Sequence, residues 1–190
     1  MPRVGLTPHR LVQAGAELAD EVGFEHVTVS AVARRFGVKV ASVYSHLKSS
    51  RDLETRITLL ALEEMADRAD DAVAGRAGRD ALIAFANVYR DYAREHPGRY
   101  TAARAPLDPA TAAASAGPRH ARSMRAILRG YHLAESEEVH AIRLMGSIFH
   151  GYASLEASGA FSHSTPDPEV SWARILDSLD ETLANWSTPA

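Results

Sequence analysis

Apolar residues in this chain recur every three or four positions along most of its 190 residues, and nowhere do they alternate over a run long enough for a strand. A spacing near 3.6 gathers them into a stripe along a helix, where a spacing of two would line one face of a strand. The one β-branched cluster, Val27-Thr28-Val29, is too short to compete. An all-α fold is therefore expected. Hydrophobic residues make up 46 %, enough to build a sizeable core. The length suits one domain, or a small one followed by a larger one. There is no cysteine, which excludes disulfides, Cys-based zinc sites and a Cys nucleophile. No run approaches 18 uninterrupted apolar residues and the N-terminus carries no long apolar stretch. Neither a membrane span nor a signal peptide is expected, and the expected location is the cytoplasm.

Capping residues divide the pattern into helices. Thr7-Pro8 reads as N-cap and first helical residue, followed by Leu11, Gly15, Leu18 and Val22, with Gly23 as the stop. Thr28 caps a second, short helix with Val32, Ala33 and Phe36 on its inner face. Gly37-Val38 is a tight turn, and a third helix is expected from about Val40 to Leu47. Ser49-Ser50 caps a long fourth helix, expected over Arg51 to about Val73. Beyond Gly75 and Gly78, Asp80 opens a helix carrying Leu82, Phe85, Val88, Tyr89 and Tyr92, which His96-Pro97-Gly98 breaks. Residues 105–118 read as a loop or linker with a possible helical turn, and 119–131 as a helix. Glu135 to Ser158 is apolar on two faces, Val139, Ile142, Met145, Phe149 and Tyr152 on one, Leu144, Ile148 and Leu155 on another. Such a helix has more than one partner to bury against. The last helix, after Pro166 and Pro168, bears a stripe of Trp172, Ile175, Leu176, Leu179 and Leu183.

The first three helices carry the functional signal. Two short helices across a Gly-containing turn form a helix-turn-helix, whose second helix must be packed so that its outer face enters the major groove. Val32, Phe36, Val38, Val43 and Leu47 supply the packing, and Gly37 permits a positive φ in the turn. Lys39, Val40, Ala41, Ser42, Tyr44, Ser45, His46 and Lys48 are left outside. The charge distribution agrees. Residues 1–53 hold seven Lys/Arg and five Asp/Glu, a net of +2, while the remainder has a net of −5.

The stretch Gly23-Phe24, Thr28-Val29, Val32-Ala33, Phe36-Gly37-Val38, Val43-Tyr44-Ser45-His46-Leu47-Lys48-Ser49 and Leu53 resembles the N-terminal signature of TetR-type regulators. The resemblance implies that Thr28 caps the second helix and touches phosphate. It implies that Lys39 to Ser42 and Ser45 approach base edges, and that Tyr44, His46 and Lys48 contact the backbone. One departure is Lys39, where the family usually has a capping Ser. The runs Tyr89–Tyr100 and Phe149–Phe161 resemble a sensor domain named for a Trp-His-Gly motif, its Trp position falling on Phe149 or elsewhere in the chain. A division follows: residues 1–50 as the DNA-binding domain and 51–190 as a helical ligand-sensing and dimerisation domain.

The resemblance implies a small-molecule effector, so Met65, Phe85, Tyr89, Tyr92, Tyr100, Met124, Tyr131, Met145, Phe149 and Tyr152 are candidates to line its pocket; the same residues serve equally as plain core. Leu144, Ile148, Leu155, Trp172, Ile175, Leu176 and Leu179 are candidates for a homodimer interface, the alternative being packing within one chain. His132, His140 and His150 are spaced by eight and ten residues and offer no metal pattern, and no cofactor is expected. The acidic pairs Glu63-Glu64, Asp70-Asp71 and Glu137-Glu138 point about 100° apart on a helix and read as solvated faces, so no catalytic constellation emerges. The expected activity is a repressor released from operator DNA by a small molecule. The rivals are a helical ligand carrier without a DNA role and a small helical enzyme.

Overall fold

The computed structural model describes residues 5–186, and the described chain is all-α. The helices are α1 (Pro8–Val22), α2 (Val29–Phe36), α3 (Val40–Tyr44), α4 (Ser50–Val73), α5 (Gly78–Glu95), α6 (Pro97–Ala102), α7 (Pro109–Ala114), α8 (Gly117–Leu128), α9 (Glu135–Ala157) and α10 (Pro168–Ala184). The Thr7 and Thr28 caps fall where the sequence puts them, and Asp167 adds one before the last helix. Thr7 accepts from the Arg10 amide, Thr28 from Ala31 and Asp167 from Glu169. Ser49 accepts from the Asp52 amide, while the Asp52 carboxylate accepts from the Lys48 amide, so the start of α4 is held in both directions. Three elements differ from expectation. The α-helical part of α3 ends at Tyr44, and only turn-like bonds from His46 and Leu47 to the Val43 carbonyl continue it. Pro97 begins α6 rather than ending structure, and Asp108 caps α7 inside the expected linker.

The chain forms two compact units. One holds the residues through Glu64 together with Glu95–Ala116. Its core brings together Leu11, Val12, Ala16 and Ala19 of α1, Val29, Val32 and Ala33 of α2, Val43 and Leu47, Leu53 and Ile57 of α4, and Ala102 of α6. At the α1–α6 crossing, a Cβ on Gly98 would lie 1.9 Å from the Ala19 carbonyl oxygen, so only glycine lets the backbones approach this closely. Polar groups seal the same corner. Asp20 accepts from the Arg99 amide at 2.9 Å and faces His96 Nδ1 at 3.2 Å, and Arg99 reaches Glu64 at 3.2 Å.

The other unit holds Met65–Arg94 and the residues from Gly117. Its core is aromatic. Phe85, Tyr89 and Phe149 meet with ring centroids 5.0–6.3 Å apart, and Trp172 packs on Phe149 at 6.2 Å and on Tyr152 at 4.9 Å. Arg90, 3 % exposed, ties α5 to α9 and α10 through Glu156 and Glu169.

Candidate functional site

The short length of α3 determines what it presents. Val43 (0 % exposed) and Leu47 (2 %) anchor it in the core, and the residues between them are turned outward. Tyr44 is 47 % exposed and Val40 37 %, Lys39, Ala41, Ser45 and Lys48 are exposed, and Ser42 and His46 are half-buried. Gly37, with φ +63°, makes the left-handed turn that separates α2 from α3. Lys39 takes the N-cap position in extended geometry and makes no side-chain cap, as expected of a residue with no acceptor. Ser45 Oγ donates back to the Ser42 carbonyl, so in this conformation its proton is committed to its own helix. Thr28 is exposed at the start of α2, and its oxygen accepts from Ala31 while its proton stays available to an outside acceptor.

The cations of this unit divide into two kinds. Arg35 is engaged by Glu21 at 2.7 Å and Glu17 at 3.0 Å, and the hydrogen bond to Glu21 raises its already high pKa. Arg10 lies over the Phe36 ring. Lys39, Arg34 and Arg51 are exposed and have no carboxylate partner among the described residues, and Lys48 is exposed with its charge acting on Asp52. Arg34 and Arg51 were not among the residues singled out from sequence. Their signal was available, since Arg51 directly follows the Ser49-Ser50 cap and Arg34 is in the last turn of α2. Asp52, between these cations, is pulled in two directions: burial pushes its pKa up, and hydrogen bonds from Arg56 and the Lys48 amide outweigh it and hold the carboxyl below its usual value.

The expected pocket residues separate. Phe85, Tyr89, Tyr92, Met145 and Phe149 are fully or almost fully buried in the second unit, as are Met65, Met124 and Tyr152. Tyr89 Oη lies 2.9 Å from His120 Nδ1, and the His150 ring stands edge-on to Tyr89 at 5.3 Å. Tyr131 donates to Asp180 at the unit's edge, and its burial pushes the phenol pKa up. Tyr100 is brought elsewhere: it is on α6 in the unit of the helix-turn-helix, beneath Arg104, where burial pushes it up to about 12.

The expected interface residues also separate, by face. Trp172, Leu176 and Leu179 are at most 3 % exposed within their own chain, and Trp172 donates to Asn87 at 2.8 Å. They are core, because the stripe on α10 is narrow enough for one unit to cover. Ile148, Leu155 and Ile175 instead line an open groove of about 550 Å3 between α9 and α10, with Leu144 one turn away and half-buried. Val139, read on the same face of α9 as Met145, Phe149 and Tyr152, is 43 % exposed. Among the described residues no three His, Asp or Glu side chains are placed to hold a metal ion, and no helix is long and apolar enough to cross a membrane.

Residues 11–53 match the family described as bacterial regulatory proteins of the tetR family, and residues 82–179 match a tetracyclin repressor-like C-terminal domain. The chain belongs to the TetR family. It is 32 % identical over 166 residues to the HTH-type transcriptional regulator Rv0681 of Mycobacterium tuberculosis, covering 85 % of this chain and 75 % of that one. It is 29 % identical over 160 residues to the regulator YobS of Bacillus subtilis, covering 84 % of each. Its fold is similar to a TetR protein of Acinetobacter baumannii crystallised with minocycline, with a TM-score of 0.71, 18 % identity and coverage of 97 % of this chain and 100 % of that one. It is likewise similar to the TetR-family regulator PfmR of Thermus thermophilus, with a TM-score of 0.66, 20 % identity and coverage of 98 % and 100 %. As a TetR-family member, the chain is a DNA-binding transcriptional regulator.

Proposed function

We propose that this TetR-family regulator is a homodimeric cytoplasmic repressor, with residues 1–50 reading operator DNA and 51–190 sensing a small molecule and dimerising. The observation that carries the DNA reading is α3 itself, anchored through Val43 and Leu47 with Tyr44 and Val40 turned outward. Lys39, Val40, Ala41, Ser42 and Ser45 approach base edges, and Thr28, Tyr44, His46 and Lys48 hold phosphates. Arg51, three residues beyond Lys48, adds a further phosphate contact. The protein has no catalytic role in this reading.

Effector release follows from population shift: a ligand that favours one of two conformations of the sensor moves the pair of recognition helices out of register with half-sites about 34–36 Å apart. α4 runs unbroken from Ser50 to Val73 and is one of the segments that carry the chain from one unit into the other. The minocycline bound by the Acinetobacter relative supports a small organic effector of some kind. The Phe149-His150-Gly151-Tyr152 run supports the Trp-His-Gly-type sensor. The outward apolar set of Leu144, Ile148, Leu155 and Ile175 supports dimerisation, each patch meeting its own copy across a two-fold axis.

Selection of bound duplexes from a random pool tests the reading. A defined, two-fold symmetric sequence is expected, with affinity that falls steeply as salt rises. Retained binding by the Tyr44→Ala, Lys48→Ala double variant would overturn the assignment of the recognition face.

A further inference from the structure

Around the turn between α4 and α5, the sensor unit carries a concavity of about 420 Å3 that the DNA-binding reading leaves unused. Val73, Ala81 and Ile127 give it apolar walls, and Arg76 and Arg129 are its charged members. The backbone of Gly130 closes one side, so near that a Cβ there would lie 2.9 Å from the Gly78 Cα.

The charges do not balance internally. Arg129 is exposed and has no carboxylate partner among the described residues. Arg76 donates to the Ala72 carbonyl, an uncharged acceptor that leaves its cation uncompensated. Asp70 and Asp80 act on other groups. Asp70 takes Arg119 Nη2 at 2.7 Å and the Ser123 hydroxyl at 3.0 Å, and Asp80 acts on Arg79. Two unneutralised guanidinium groups thus share the lining of one apolar concavity, in a part of the chain whose net charge is −5. Each presents a planar fork of donors that matches the oxygens of a phosphate or carboxylate. The volume falls within the roughly 300–1,000 Å3 of small-molecule sites.

We infer that this concavity binds a small oxyanion, a phosphate or carboxylate carrying a short apolar body. Arg76 and Arg129 take the charge, and Val73, Ala81 and Ile127 take the body. The site is separate from the aromatic cluster of Phe85, Tyr89 and Phe149. The inference goes beyond the proposed repressor function and stands independently of it, because its test uses no DNA.

The test is calorimetric titration of the full chain with phenyl phosphate and with benzoate, and with benzyl alcohol as the uncharged counterpart. At least one of the two anions is expected to bind and the alcohol to bind far more weakly. Arg76→Gln, Arg129→Gln together should weaken anion binding by about tenfold or more. Arg129→Lys should fall in between, keeping the charge and losing the fork. Both side chains are exposed, so the unliganded variants should melt with the wild type. Arg122→Gln removes an exposed arginine of α8 outside the lining and is expected to leave binding unchanged. No anion binding by the wild type, undiminished binding by the Gln pair, or an equal loss in Arg122→Gln would each overturn the inference.

Discussion

Arg90→Ala is expected to be among the most destabilising single substitutions in the sensor unit. The guanidinium is 3 % exposed and gives Nε and Nη2 to Glu156 at 2.9 and 2.7 Å, and Nη1 to Glu169 at 2.7 Å. It also lies 5.6 Å from the ring centroids of both Tyr152 and Trp172. Removing one member of a buried pair leaves the other charge desolvated, which costs about 3–5 kcal/mol. For a chain of this size that corresponds to a fall in Tm of roughly 6–20 °C. The penalty falls on Glu156, whose side chain is 16 % exposed, rather than on Glu169, which at 67 % can turn to water. Arg90→Leu with Glu156→Leu should therefore recover most of the loss, since a well-packed apolar pair replaces a buried ion pair at little cost. The pH dependence has a definite sign. The Arg90 hydrogen bond holds the Glu156 pKa below its usual 4.5, so its contribution is complete above that value and is lost as pH falls through the lower, folded one. Denaturant unfolding followed across pH 3–7 reads both effects. A cost for Arg90→Ala below about 1 kcal/mol, or a double variant as unstable as the single one, would refute the reasoning.

Other outcomes follow from the same geometry. Gly98→Ala should cost about 3 kcal/mol, the upper end of overpacking, because the obstacle to its Cβ is the Ala19 backbone, and thermal unfolding checks it. Lys48→Ala should weaken binding to all duplexes and lower the salt slope of log K by about one unit, read by fluorescence anisotropy at several salt concentrations. Replacing Lys39 and Ser42 together should change the preferred operator in a selection experiment, not only its affinity, because the first turn of the recognition helix lies deepest in the groove. Ile148→Asp with Leu155→Asp should give folded monomers in sedimentation, since both side chains line the outer groove of α9 and α10.

The head was legible in sequence because its signals are local. A cap such as Thr28 and a left-handed turn such as Gly37 act within a few residues, and each appears in the structure where the residue type requires it. What escaped the sequence was set by contacts between distant segments. Gly98 reads as a helix breaker beside Pro97, yet its role is to let α6 meet the Ala19 carbonyl, 79 residues earlier in the chain. Arg90 and Glu156 look like ordinary surface charges on their own helices, and only the packing of α5 against α9 makes them a buried pair. Tyr100 looks like one more aromatic of a sensor core, and the topology instead places it in the unit of the helix-turn-helix.

The two faces of α9 and α10 show where periodicity stops being informative. A stripe at helical spacing says that one face is covered, and it is silent about what covers it. On α10 Trp172, Leu176, Leu179 and Leu183 are buried by the chain's own helices, while Ile175, between two of them in sequence, is directed to the outer groove. On α9 the same division separates Met145 and Phe149 from Ile148 and Leu155, while Tyr152 is buried yet borders the groove. A charge placed at Leu176 or Leu179 would therefore enter the core and unfold the unit, whatever the oligomeric state. A charge at Ile148, Leu155 or Ile175 meets solvent in an isolated chain and is destabilising only where a second copy covers the groove. The contrast between these two sets of substitutions, unfolding against dissociation, separates a dimer face from a core face in a way that the hydrophobic pattern alone does not.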